Sequence, residues 1–171
     1  MANPQLPRAT GKIRLEVVTP EGPALTEVVD EFTSPSVKGQ FGVLPGHLPL
    51  LAALRTGVIS YRIGTQNVAC AVGPGFVEVA DDHAILLTDR YSDKDSIDVV
   101  DTRMKLKEVD AKLDKWDGEP GTPEHKALIE QEQWLATLLE LFGDPPPPTM
   151  RPVQVVAKPK DEEAPPASEE D

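Results

Sequence analysis

Three histidines, one cysteine and a surplus of carboxylates are the residues of this 171-residue chain that could carry chemistry. His47 lies in the turn LPGHL, His83 follows Asp81 and Asp82, and His125 stands near the start of a helical stretch. No HxH, HExxH or paired-cysteine spacing joins them, so no metal site is expected. A GxxxxGK[ST] phosphate loop is absent, and the GPG at 73–75 is short and joins two strands rather than a strand and a helix. There is no GxSxG elbow, and Ser34, Ser36 and Ser60 have no base nearby in sequence. Cys70, in NVACAV, has neither base nor cation beside it and reads as a small buried strand residue. The carboxylates fall on charged helix faces, where solvation is the default. Catalysis by this chain alone is not expected, and no cofactor is implied.

The elements that would position these residues are of two kinds. Lys12 to about Asp89 reads as short strands and turns. Ile13, Leu15 and Val17 share one face of KIRLEVV, and TEVVDEFTSP is a second strand closed by Ser34-Pro35. In VISYRIGTQNVACAV, alternation at Ile59, Tyr61 and Ile63, then at Val68, Cys70 and Val72, predicts a hairpin. FVEVA, the turn DDH and AILLT follow. Turn signals about every ten residues predict an all-β sandwich over 12–91, after a flexible segment at 1–11.

From Ser92 the period changes. Val99, Thr102, Leu106, Val109, Leu113 and Trp116 form an apolar stripe, with Asp93, Asp95 and Ser96 as candidate caps. A second helix begins at Thr122-Pro123, with Leu128, Leu135, Leu138 and Phe142 on one face and Trp134 and Leu139 beside it. The short linker predicts an antiparallel helical hairpin over 92–142. Two helices bury little alone, so the hairpin needs its own sandwich or another subunit as partner. Residues 143–171 are acidic and rich in proline, and are expected to be disordered.

The formal net charge of -12 argues against nucleic acid and anionic lipid as partners. A lone cysteine excludes an internal disulfide and suits a reducing compartment. The N-terminus lacks the apolar core of a signal peptide and no apolar run reaches membrane-spanning length, so any membrane link is expected through a partner. In QFGVLPGHLPLLAALRTGV, residues 40–58, four leucines in seven positions exceed one strand face. An exposed remainder would mark a protein interface.

The order of GQFGVLPGHLPLLAALRTGVISYR and VGPGFVEVADDHAILLTD resembles the epsilon subunit of F-type ATP synthase. The PGHxPLL segment with GFVEV at this separation carries the resemblance, which runs through the sandwich and the hairpin. It implies a non-catalytic central-stalk subunit that binds gamma and the ring of c subunits and couples proton flow to ATP synthesis. It implies a peripheral place on the cytoplasmic face of the inner (plasma) membrane, reached only through the complex. Gln40, Phe41, Pro45, Gly46 and His47 would meet the c ring. The hairpin, with Leu106, Val109, Leu113 and Trp116 as its apolar stripe, would reach the alpha/beta catalytic head and inhibit ATP hydrolysis. An alternative is a nucleotide-binding regulatory β-sandwich module, with Asp98 and Arg103 as contacts. Asp101, an acid at the family's arginine position, argues against it.

Overall fold

The computed structural model describes residues 11–143. The expectations of a flexible 1–11 segment and a disordered 143–171 tail fall, but for Gly11 and Gly143, outside the described residues.

Among the described residues, ten strands build two five-stranded sheets. They are β1 (Ile13–Thr19), β2 (Gly22–Val29), β3 (Glu31–Ser36), β4 (Gly39–Val43), β5 (Leu50–Leu54), β6 (Gly57–Ile63), β7 (Gln66–Val72), β8 (Gly75–Ala80), β9 (His83–Thr88) and β10 (Tyr91–Asp93). The first sheet runs in the order β2-β1-β9-β8-β5, the second in the order β10-β7-β6-β3-β4. Only β1 and β9 pair in parallel; every other neighbour is antiparallel. Strand alternation sends every second side chain inward. Ile13, Leu15 and Val17 therefore meet Phe32, Ile59, Val72, Val77 and Leu86 in one dry core. Each such side chain stabilises the fold by about 1.5–3 kcal/mol relative to exposure.

The segment TEVVDEFTSP is two strands rather than one. The chain leaves the first sheet at Val29 and enters the second at Glu31, with Asp30 at the corner and its N–H donated to the Arg62 carbonyl at 2.8 Å. Ser34 and Pro35 lie within β3, where Pro35 faces Gln40 of β4 and the pairing with β6 has already ended. The expected hairpin of β6 and β7 is present, its loop reduced to Gly64 and Thr65, with Gly64 at φ 61. The second sheet continues past Tyr91 to Asp93.

A short 3₁₀ turn, Lys94–Ser96, leads into α1 (Val99–Asp114) and α2 (Pro123–Glu140). Asp93 caps the 3₁₀ turn, accepting from the Ser96 N–H, and Asp98 caps α1, accepting from Val100 and Asp101. Neither Asp95 nor Ser96 caps α1, because the chain is still in the 3₁₀ turn there. Thr122 caps α2 through the His125 N–H, with Pro123 at the first position, as its sequence requires.

Candidate functional site

One end of the sandwich gathers the loop of residues 44–49, the Asp81–Asp82 turn, the Gly64–Thr65 turn and the start of β1. Two aspartates bind these segments together. Asp82 Oδ1 accepts the N–H of Gly46 at 2.5 Å, and the Asp82 carbonyl accepts the N–H of Arg14 at 2.9 Å. Asp30 accepts the N–H of Gly64 at 2.6 Å and the Lys12 ammonium at 2.6 Å, with Arg62 at 3.5 Å. The Lys12 contact, joined by the Gly64 N–H, holds the Asp30 carboxyl below the usual carboxylate range. Gly46, at φ 79, is the residue of the 44–49 loop that takes the left-handed region, and the His47 N–H closes back on the Leu44 carbonyl at 3.1 Å. His47 is half-buried with Nδ1 2.7 Å from the Leu48 carbonyl.

Pro45, Gly46 and His47 are thus held as one turn. Gln40 and Phe41 stand earlier, on β4. Gln40 is exposed and donates to Thr33 Oγ1 at 3.2 Å, while Phe41 is half-buried against the core. The four leucines divide: Leu54 is buried and Leu50 packs on the core, whereas Leu48 is 79% and Leu51 72% exposed. Leu51 borders a larger apolar row on the outer face of the first sheet. Ala53, Phe76, Leu87 and Val18 lie side by side across β5, β8, β9 and β1. Phe76 and Leu87 are more than half exposed.

The outer face of the second sheet is covered. Leu138 and Leu141 of the second helical segment sit on Ala71, flanked by Val58, Ala69, Ile97, Trp134 and Phe142. Ala69 and Ala71 point outward from β7 and are small enough to let α2 approach. The alternation that predicts the hairpin falls on Val68, Cys70 and Val72; the alanines between them were the available signal for a helix-covered face. The Arg90 guanidinium lies over Trp134 and the Lys94 ammonium over Phe142, at 5.4 and 4.9 Å from the ring centroids.

The seam between the helices holds Leu106, Val109 and Leu113 against Ile129, Leu135 and Leu139. Trp116 lies beyond the last turn of α1, half-buried, with its ring 5.2 Å from that of His125. Glu132 departs from the expectation of solvated helix carboxylates, being 4% exposed. Asp98 is occupied as the cap of α1, and Arg103 lies on the exposed side of that helix. Cys70 is buried beside Tyr91, and desolvation pushes its thiol up to about 12, which keeps it a neutral thiol at neutral pH. Burial raises the Tyr91 phenol as well. Among the described residues, no group of three or more His, Cys, Asp or Glu side chains is placed to hold a metal ion, and no helix is long and apolar enough to cross a membrane.

Residues 12–93 match the family described as ATP synthase, Delta/Epsilon chain, beta-sandwich domain. Over 102 residues, 60% of this chain and 74% of the relative, the sequence is 44% identical to ATP synthase epsilon chain 2 of Syntrophotalea carbinolica. The chain belongs to the ATP synthase epsilon family. The epsilon chain of Trichlorobacter lovleyi is 39% identical over 128 residues, 75% of this chain and 89% of the relative, a span that reaches into the helices. The fold is shared with a chain of the Euglena gracilis mitochondrial ATP synthase, solved as an OSCP/F1/c-ring assembly, at a TM-score of 0.67 and 20% identity over 83% of this chain and 91% of that one. An epsilon chain is a stalk subunit of ATP synthase and a non-catalytic part of the complex.

Proposed function

We propose that this epsilon chain works in the rotor by binding gamma through its sandwich and the c ring through the turn at residues 45–47. It thereby carries torque between proton flow and ATP synthesis. The observation that carries the reading is the contrast between the two outer sheet faces. One is closed by α2, while the other presents Phe76 and Leu87 to solvent, flanked in the row by half-buried Ala53 and Val18. An exposed apolar row of this kind suits a permanent protein partner, and gamma is that partner in this reading. Gln40, Phe41, Pro45, Gly46 and His47 form the ring-side set, with Leu48 beside them. The site works on the cytoplasmic face of the bacterial inner membrane, where the chain is peripheral and held through the complex.

The hairpin regulates. Its seam of Leu106, Val109 and Leu113 against α2 is separate from the contact of α2 with the sandwich, so the second can open while the first persists. An opened hairpin would reach the catalytic head and slow ATP hydrolysis. The test is ATP-driven proton pumping by an ATP synthase depleted of epsilon, in membrane vesicles, before and after adding the full chain. Restored pumping supports the proposal; hydrolysis that stays uncoupled at saturating chain contradicts it.

A further inference from the structure

We infer that Asp82 is the residue that positions the Pro45–Gly46–His47 turn for its contact with the c ring, an inference that rests on the function proposed above. Three observations carry it. Within the loop of residues 44–49 the backbone closes on itself from the His47 N–H to the Leu44 carbonyl at 3.1 Å. Gly46 is exposed at φ 79, with nothing within 4 Å of where a β-carbon would stand, so packing does not hold it. A glycine in that setting visits many conformations unless something outside the turn takes its N–H. The Asp82 carboxylate does so at 2.5 Å, from 36 positions along the chain.

The second observation is backbone geometry. Asp81 and Asp82 stand at φ 51 and φ 58, the non-glycine residues with positive φ among those described. Aspartate enters this left-handed region more readily than most side chains, at a modest cost. The cost is offset where it aims both acceptors of Asp82, the carbonyl at Arg14 of β1 and the carboxylate at Gly46. The third observation is the route of the contact. Asp82 sits in the turn between β8 and β9, two central strands of the first sheet, and so refers the 45–47 turn to the rigid sheet rather than to its own flanks. A surface that transmits torque needs that stiffness, because a turn free to swing would yield instead of pushing. Asp82 itself is half-buried and acts through the turn.

The full chain should be compared with Asp82→Gly and Asp82→Asn. Glycine keeps the left-handed backbone and deletes the acceptor; asparagine tolerates the same backbone and keeps a side-chain oxygen. Two readouts are needed: the Gly46 amide proton by NMR, and affinity for the detergent-solubilised c ring with gamma affinity as control. The expected result in Asp82→Gly is an upfield, faster-exchanging Gly46 amide with roughly three- to tenfold weaker ring binding, the scale of one net hydrogen bond. Asp82→Asn should restore both, and gamma affinity should not change. A Gly46 amide unmoved in Asp82→Gly overturns the inference, as does an amide set free with ring affinity unchanged. A wild-type chain that does not bind the ring, while its Gly46 amide still responds to Asp82→Gly, overturns the ring reading and leaves the turn contact standing.

Discussion

The Arg90 guanidinium lies 5.4 Å from the centre of the Trp134 ring, tying the loop that ends the first sheet to the middle of the second helix. Lys94 over Phe142, at 4.9 Å, repeats the arrangement one turn before α1. These two cations grip the side of α2 that rests on Ala71, not the side that meets α1. The contacts that dock α2 on the sandwich are therefore distinct from those that zip it to α1.

Removing the cations should loosen docking selectively. Exposed cation–π pairs contribute about 0.5–1 kcal/mol each. In Arg90→Ala combined with Lys94→Ala, amides in the last turns of α2 should exchange several-fold faster, while those of β1 and β9 keep their protection. Equal acceleration in the sandwich strands would show that the pairs stabilise the whole fold instead.

Gly75 is expected to be intolerant of any side chain. A β-carbon there would stand 1.9 Å from the Leu87 carbonyl oxygen, and backbone cannot move aside cheaply. Gly75→Ala should lower unfolding free energy by about 3 kcal/mol or more in a urea titration. Gly42→Ala is the control, since its β-carbon would meet only Thr33 Cγ2 at 3.9 Å. It should be neutral or slightly stabilising, by up to about 1 kcal/mol. Equal losses at the two positions would refute the steric account.

The corner at Asp30 should give the fold an acid-sensitive component. Its carboxyl is held low chiefly by the Lys12 hydrogen bond, and then by the Gly64 N–H. A carboxyl whose folded pKa is depressed stabilises the native state above the ordinary carboxylate range. That contribution is lost as the pH falls through the folded value. Asp30→Asn should therefore flatten the acid limb of stability against pH, and added salt should weaken the wild-type effect because the pair is solvent-facing. An unchanged acid limb in Asp30→Asn would contradict this assignment.

What could be read from the sequence follows the range of the interaction. The alternation at Ile13, Leu15 and Val17 is local and places the core directly. So does the Thr122-Pro123 cap. The strand change at Asp30 escaped, since apolar residues continue on both sides of it and only the partner strand Arg62 reveals the corner. Trp116 extends the α1 stripe by spacing, yet the helix ends at Asp114 and the ring turns to His125. Asp93, Asp95, Asp98 and Asp101 crowd this stretch, so a cap was foreseeable and its position was not. Asp82 and Gly46 lie 36 residues apart, and no periodicity relates a carboxylate to one distant amide. The PGH turn was visible as a motif; what holds it was not.

In the function proposed above, the open face of the first sheet binds gamma. The most direct measurement is a calorimetric titration of purified gamma with the full chain and with Phe76→Glu, which puts a charge in the middle of the row Ala53, Phe76, Leu87 and Val18. The side chain is 58% exposed, so the fold should survive the change, which circular dichroism would check. Tight binding by the wild type and at least tenfold weaker binding by the folded variant are the predicted result. Equal affinities, or no binding by the wild type, would contradict it.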